Sequence, residues 1–480
     1  MRKEITNFSG GISSKIDENL LRWKNAKTTY NFQFFDGALK RNIAFSGLKG
    51  AFGTSLGLGD NSLVGKNTFY NGRVFYFQKC DELGQNRADK LLLLDDNFNL
   101  YSVSLYAQNP SFESLNFTFT SLPSAVCYRL NSADVILFSS PTDGLVMWDG
   151  ENDVQKIESA PSLSSLTFHY ERLFGISAQN PYELWFSDDF DPTNWTIDSS
   201  SAGFIQMLDD RGELKKVISY NDYLYILREH GISRLSGAGA QESFYLSHMF
   251  VSSGRIYENT AQVCGDKILF MSSAGLCLFD GVSVTPIVRD LASVISVNED
   301  SSSAYYDGKY YLSCKIDFGD VVFNDGSHTN NALLILDAET MEYQIVRGVS
   351  VSSMARIFSP DKDTLVFLSE RAQERLFIPT TITDSGAFGP LTSSWKTGQS
   401  DLGLVKKQKV IRKLGAVVTH GNFNIILRNQ NNESVSVNIE SGLTELPVRL
   451  AGETFSLEIR AKANSVSDKN VITSVWVDVV

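Results

Sequence analysis

Between residues 70 and 370 the apolar residues come in short runs, each bounded by Asn, Asp, Gly or Pro. One phrase recurs: an alternating strand, a tight turn, then an aromatic-rich strand. The turns are Tyr70-Asn71-Gly72 before RVFYF, Leu130-Asn131 before DVILF, and Tyr170-Glu171 before RLFGI. Next come Tyr220-Asn221-Asp222 before YLYIL, Gly265-Asp266 before KILFM, Tyr306-Asp307-Gly308 before KYYLS, and Pro360-Asp361 before TLVFL. These seven occurrences lie about 40 to 60 residues apart. Several units continue into a third strand ending in an acidic turn: LVMWDG at 145–150, LCLFDG at 276–281 and LLILDA at 333–338. Asp-Gly after an apolar run is a strong hairpin signal, because the turn needs positive φ.

Three or four short strands per unit at this period predict propeller blades. A lone blade cannot bury both faces of its sheet, so several must pack radially. The fold class expected is therefore all-β, a β-propeller of about seven blades, with six or eight also compatible. One stretch, PIVRDLASVI at 286–295, has apolar residues at helical spacing. Pro390 and the surrounding SGAFGPLTSS mark a boundary near residue 391. Beyond it Val435, Val437 and Ile439 alternate cleanly, as do Phe455, Leu457 and Ile459. The expected domains are an extended arm at 1–60, the propeller at 61–391 and a C-terminal β-sandwich at 392–480. The arm is Gly-rich, basic and aromatic, ordered by packing on its own propeller or on a neighbouring subunit.

Composition excludes several classes. With 42% hydrophobic and 20% charged residues the chain is globular rather than disordered. No apolar run reaches the length of a membrane span, and MRKEITNFSGG lacks the apolar core of a secretory signal. Membrane insertion is not expected. Five cysteines without CxxC spacing read as buried free thiols made in a reducing cytoplasm.

Charge is uneven. Residues 1–50 hold nine Lys/Arg against four Asp/Glu, and residues 392–480 hold eleven against eight. The total is −12, so residues 51–391 carry −20. An acidic middle repels nucleic acid rather than gripping it, although a merely solvated acidic surface has the same composition.

The chain offers little chemistry. Its five histidines are scattered without HxxxH or HExxH, so no metal or cofactor site is expected. Gly237-Ala238-Gly239 has no βαβ context for a dinucleotide. The segment from Ser187 to Trp195, SDDFDPTNW, resembles the Asp-box turn of sialidase-like propellers. In those propellers the box is structural, and Ser187, Asp189, Asp191 and Trp195 are assigned here to a structural turn. Glycoside hydrolysis needs two carboxylates placed across a sugar, or a Tyr with an Arg cluster, and nothing singles out such a set. No catalytic residue is assigned.

Taken in order, the motifs resemble a known family. ERLFGISAQNPYELWFSDDFDPTNW at 171–195 is similar to a propeller segment of short-tailed bacteriophage tail nozzle proteins, including packaged-DNA stabilisation proteins. GRIYENTAQVCGDKILFMSSAGLCLFDGVSVTPIVRDLASVI resembles their next blade, and FSGGI their N-terminal region. Trp395-Lys396-Thr397-Gly398-Gln399-Ser400-Asp401-Leu402-Gly403, followed by KKQKVIRKL, resembles the start of their C-terminal β-domain. The resemblance implies a virion protein made in a bacterial cytoplasm and assembled as a homo-hexamer. It implies a ring below the portal and adaptor that carries fibres or spikes and passes double-stranded DNA without binding it specifically. Phe8, Gly10, Gly11, Lys406, Lys407 and Arg412 are the candidate assembly contacts. For Lys406, Lys407, Lys409, Arg412 and Lys413 the alternative is a solvated strand edge that discourages aggregation, and for Phe8, Gly10 and Gly11 an intrachain clasp. Two rival functions remain: a carbohydrate-binding propeller and a sialidase-like hydrolase.

Overall fold

The computed structural model describes the chain except residues 9–10, 13–22, 24, 42–43, 51–52, 54, 57–66, 81–85, 198–200, 240, 253, 320–329, 359–362, 371, 373–374, 381–390 and 463–469. The described residues form an all-β protein: a seven-bladed propeller with a β-sandwich packed against it. The seven innermost strands are Arg73–Phe77, Ser124–Leu130, Leu163–His169, Leu214–Tyr220, Ile256–Cys264, Ser303–Tyr306 and Ser353–Ile357. Each opens an antiparallel blade, and blade 6 adds a short fifth strand, Ile295–Ser296. The last innermost strand packs on the first, where Val74 N donates to Ser353 Oγ at 3.1 Å.

The second strands carry the apolar load because both of their faces are covered. Leu91 to Leu94 of blade 1 and Val135 to Phe138 of blade 2 are buried continuously rather than alternately. Leu92 and Leu94 meet Ile136 and Phe138 between these two blades, and Phe77 packs on Trp148 at 5.9 Å. Apolar second strands, joined by aromatics of first and third strands such as Phe77 and Trp148, are therefore the mortar between sheets.

Five of the seven expected turns, those at 130–131, 170–171, 220–222, 265–266 and 306–308, join a first strand to a second. Their turn residues Asn131, Tyr170, Asn221, Gly265 and Asp307 all have φ between +46° and +65°. Pro360-Asp361 lies outside the described residues. Tyr70-Asn71-Gly72 behaves differently: it precedes the innermost strand of blade 1, whose first connection is the longer 78–89 segment. The acidic third turns share one device. Asp149, Asp280 and Asp337 each accept from the two backbone N–H groups two and three residues on, as Asx turns do.

Three expectations are corrected. PIVRDLASVI holds a single 3-10 turn, Arg289–Leu291, because Val288 enters the left-handed region and breaks any longer helix. Of the five free thiols Cys264, Cys277 and Cys314 are buried, whereas Cys127 is exposed and Cys80 half-buried. Burial pushes the thiols of Cys264 and Cys314 up to about 12, so they stay protonated at neutral pH.

The third concerns the arm, whose described strands enter two other units. Ala44–Gly47 is the fourth strand of blade 7, pairing antiparallel with Leu376–Thr380. Arg2–Ile5, Gln33–Phe35 and Ala38–Arg41 join the sandwich sheet of Asn470–Val479, Lys409–His420 and Gly442–Gly452. Ala26–Tyr30 joins the facing sheet through Ser393–Thr397. Both chain ends thus build one sandwich, whose core is continuous with that of blades 5 and 6.

Asn31 fastens the seam. It has φ +59°, its Nδ2 donates to Arg347 O and Thr392 O, and its Oδ1 accepts from Arg347 N at 2.8 Å. Phe8 is buried with its ring edge-on to Trp395 at 5.1 Å, and its N donates to Gly37 O. Phe8→Ala leaves a void under Trp395 and is expected to cost about 3 kcal/mol. Urea unfolding of the variant checks this value, and an unchanged midpoint contradicts the clasp.

Candidate functional site

Sandwich segments 1–43 and 392–480 carry a formal +7, with 19 basic against 12 acidic residues. Residues 44–391, with 24 against 43, carry −19. Folding therefore converts two cationic chain ends into one cationic domain beside an acidic one. In the antiparallel meanders of blades 2 to 6 the first and third connections emerge on the same face. That face gathers Glu171, Asp222, Asp266 and Asp307 on first turns, and Asp149, Glu151, Asp280 and Asp337 on third turns.

The Asp-box-like segment closes blade 3. Trp195 is buried among Leu137, Leu145, Leu163 and Leu173 of blades 2 and 3, and its Nε1 donates to Pro192 O at 2.9 Å. Asp191 Oδ1 accepts from Thr193 N and Thr193 Oγ1, and Ser187 Oγ accepts from Leu173 N at 3.0 Å. Asp189 lies 2.5 Å from the buried Arg172 guanidinium. The carboxylate that ties the loop is Asp188, which sequence reasoning did not single out. It accepts from Ser201 N and Oγ, and although partial burial raises its pKa, these bonds hold it below the usual range.

Two serine–histidine pairs resemble catalytic machinery. Ser233 Oγ lies 3.0 Å from His248 Nδ1, and His248 Nε2 lies 3.9 Å from Asp209 Oδ2. The order is that of a catalytic triad, but Ser233 is fully buried between strands and cannot reach a substrate. His169 Nδ1 lies 2.8 Å from Ser219 Oγ, yet its buried Nε2 has no partner among the described residues to orient it as a base. Burial keeps both imidazoles below their usual pKa and neutral. Neither pair is an activated nucleophile.

An aromatic-lined recess of about 420 Å³ lies where blades 2 and 3 reach the first-turn face, with Gln78 and Cys80 of blade 1 at its edge. Tyr128, Phe168, Tyr170 and Phe190 line it, with Arg129, Asp134 and Glu171. Tyr128 and Phe168 meet edge-to-face at 5.1 Å. Phe190 is 75% exposed, Tyr170 44% and Phe168 40%. Arg129 pairs with Asp134 at 2.8 Å, and one oxygen of Glu171 accepts from Gly239 N. Tyr170 and Phe190 hold φ of +51° and +55°, which for bulky side chains costs about 1 kcal/mol or more each. At the first turns that match Tyr170 the other blades use Asn131, Asn221, Gly265 and Asp307. An aromatic where the repeat asks for Asn was the legible signal, and sequence reasoning passed over it.

The candidate assembly residues separate into two groups. Phe8 and Gly11 lie inside the clasp, with Gly11 at φ +71° and its O accepting from Ala26 N. Gly10 lies outside the described residues. Lys406, Lys407 and Arg412 are exposed on the sandwich, Lys406 in a turn at φ +50° beside Val405. Lys409, from the same run, is instead buried, its Nζ donating to Glu453 O.

No family model and no curated protein matches this chain. Solved structures do. Raptor from Chaetomium thermophilum aligns with a TM-score of 0.43 at 9% identity, covering 67% of this chain and 30% of that one. The extracellular domain of the putative hybrid two component system BT4673 from B. thetaiotaomicron gives 0.45 at 10%, covering 90% and 60%. An exo-beta-1,3-galactanase from Phanerochaete chrysosporium gives 0.29 at 9%, covering 91% and 99%. Likenesses at these scores carry no argument about activity.

Asp209 supplies a pH test. Burial raises its pKa, but Arg211 N and the buried Arg228 guanidinium, at 2.6 Å, outweigh this and hold it at about 2. The carboxylate therefore stabilises the fold fully above its ordinary pKa, and this stabilisation is lost as pH falls toward about 2. Asp209→Asn is expected to cost on the order of 2 kcal/mol at pH 7, with the deficit shrinking between pH 4 and 2. Urea unfolding across that range measures it, and a pH-independent deficit contradicts the assignment.

Proposed function

We propose that this chain is a structural virion protein, a ring-forming subunit of a short-tailed bacteriophage's tail nozzle, without catalytic activity. The carrying observation is the charge division: a +7 sandwich beside a −19 propeller. Unlike surfaces on one subunit favour head-to-tail contacts, and head-to-tail contacts that close make rings. Six copies around the portal and adaptor axis form a conduit on this reading, with fibres or spikes outside. Acidic walls let double-stranded DNA slide, because they repel phosphates instead of binding them. The motif order and the Trp395–Gly403 segment support the same family reading.

A tail assembled on purified portal and adaptor rings tests the proposal. Electron microscopy of that particle is expected to find six copies in a closed ring, with an acidic lumen. A chain that never joins the particle, or a strongly basic lumen, contradicts it.

A further inference from the structure

We infer that the aromatic recess on blades 2 and 3 is a cation-accepting cage, and that its occupant is the Val405–Lys407 turn of a second copy. The inference rests on the ring reading and names the contact that makes the ring.

Three observations converge. First, Tyr170 places a half-exposed ring at the left-handed turn position that Asn131, Asn221, Gly265 and Asp307 hold in other blades, its hydroxyl donating to Asp222 O, and Phe190 beside it is 75% exposed at φ +55°. Strain of this kind persists where a function uses the side chain. Second, the cage has the composition that binds ammonium groups: aromatic faces from Tyr128, Phe168, Tyr170 and Phe190 beside the carboxylate of Glu171. The cation already there, Arg129, is held by Asp134, so the recess stays net acidic and disfavours an anionic ligand. Third, the chain carries a matching plug. Lys406 and Lys407 are exposed on a turn of the cationic domain, and the adjoining Val405 is 69% exposed, an apolar tip for the aromatic walls.

The turn cannot fill its own chain's recess. The sandwich packs on blades 5 and 6, across the ring from blades 2 and 3. Plug and cage are different surfaces of one subunit, so their contact is head-to-tail.

The test titrates the full-length chain with a synthetic peptide of residues 402–410, LGLVKKQKV, and with the same peptide carrying Gln for both Lys406 and Lys407. Binding of the first, weakened by raising salt, is expected, and binding of the second about fivefold weaker or absent. Tyr170→Asn and Phe190→Asn remove the rings while relieving the backbone. Both variants are expected to melt at or above the parent's temperature and to bind the peptide about fivefold more weakly. Equal binding of the two peptides, or parent-like binding by both variants, overturns the inference. So does a recess that ignores the peptide and takes up maltotriose. A photo-crosslinker at Phe190 in the portal-templated particle separates the two readings. Six-fold rings whose crosslinks avoid residues 402–410 sink the plug and spare the nozzle. Specific peptide binding by a chain that never enters the particle sustains the cage as a self-association site and sinks the nozzle.

Discussion

Sheets packed radially have to end where they began, and here the closure is a four-residue strand. Ala44–Gly47 supplies the outermost strand of blade 7 from the far end of the sequence, beside Leu376–Thr380. Without it the last blade has three strands and an open edge. The same closure draws Arg2–Ile5, Ala26–Tyr30 and Ala38–Arg41 back to the C-terminal strands, where Asn31 joins Arg347 of blade 6 to Thr392 before the sandwich. Phe8 under Trp395, and Arg2 paired with Asp478 and Glu445, seal the two ends together. What composition suggests to be a loose basic arm is thus part of the architecture's fastening.

The charge division follows from that closure. Two cationic segments separated by some 350 residues in sequence become one domain, and the acidic stretch between them becomes the propeller. Its acids do separate jobs. Asp149, Asp280 and Asp337 bind their own turns, Asp209 neutralises buried Arg228, and Asp188 ties the Asp-box loop. Part of the acidity is therefore spent on tight turns, in blades 2, 5 and 6. The resulting face is then available for contacts with cationic surfaces.

Much of the propeller was legible because its repeat is local. A turn residue with positive φ, followed by an apolar strand buried on both faces, recurs with little help from distant residues. The destination of the arm was not legible, because its pairings with Ser393–Thr397 and Asn470–Val479 span the length of the chain. Local pattern carries no information about such partners. Tyr70-Asn71-Gly72 misled for a related reason: a turn signature marks a reversal but not which strands it joins. The Lys406–Lys413 run reads as uniformly exposed charge, yet Lys409 is buried where the strand begins. The recess was hidden because it is assembled from neighbouring blades that lie apart in sequence.

The closure can be tested directly. The Leu48 N to Leu376 O bond fixes the alternation, so Ser46 N donates to the facing strand at Ile378. Proline at position 46 removes that donor. Calorimetry of Ser46→Pro should find propeller and sandwich still melting together, several degrees below the parent. A melting profile identical to the parent's, or one in which a lone blade separates while the rest keeps its temperature, contradicts closure by this strand.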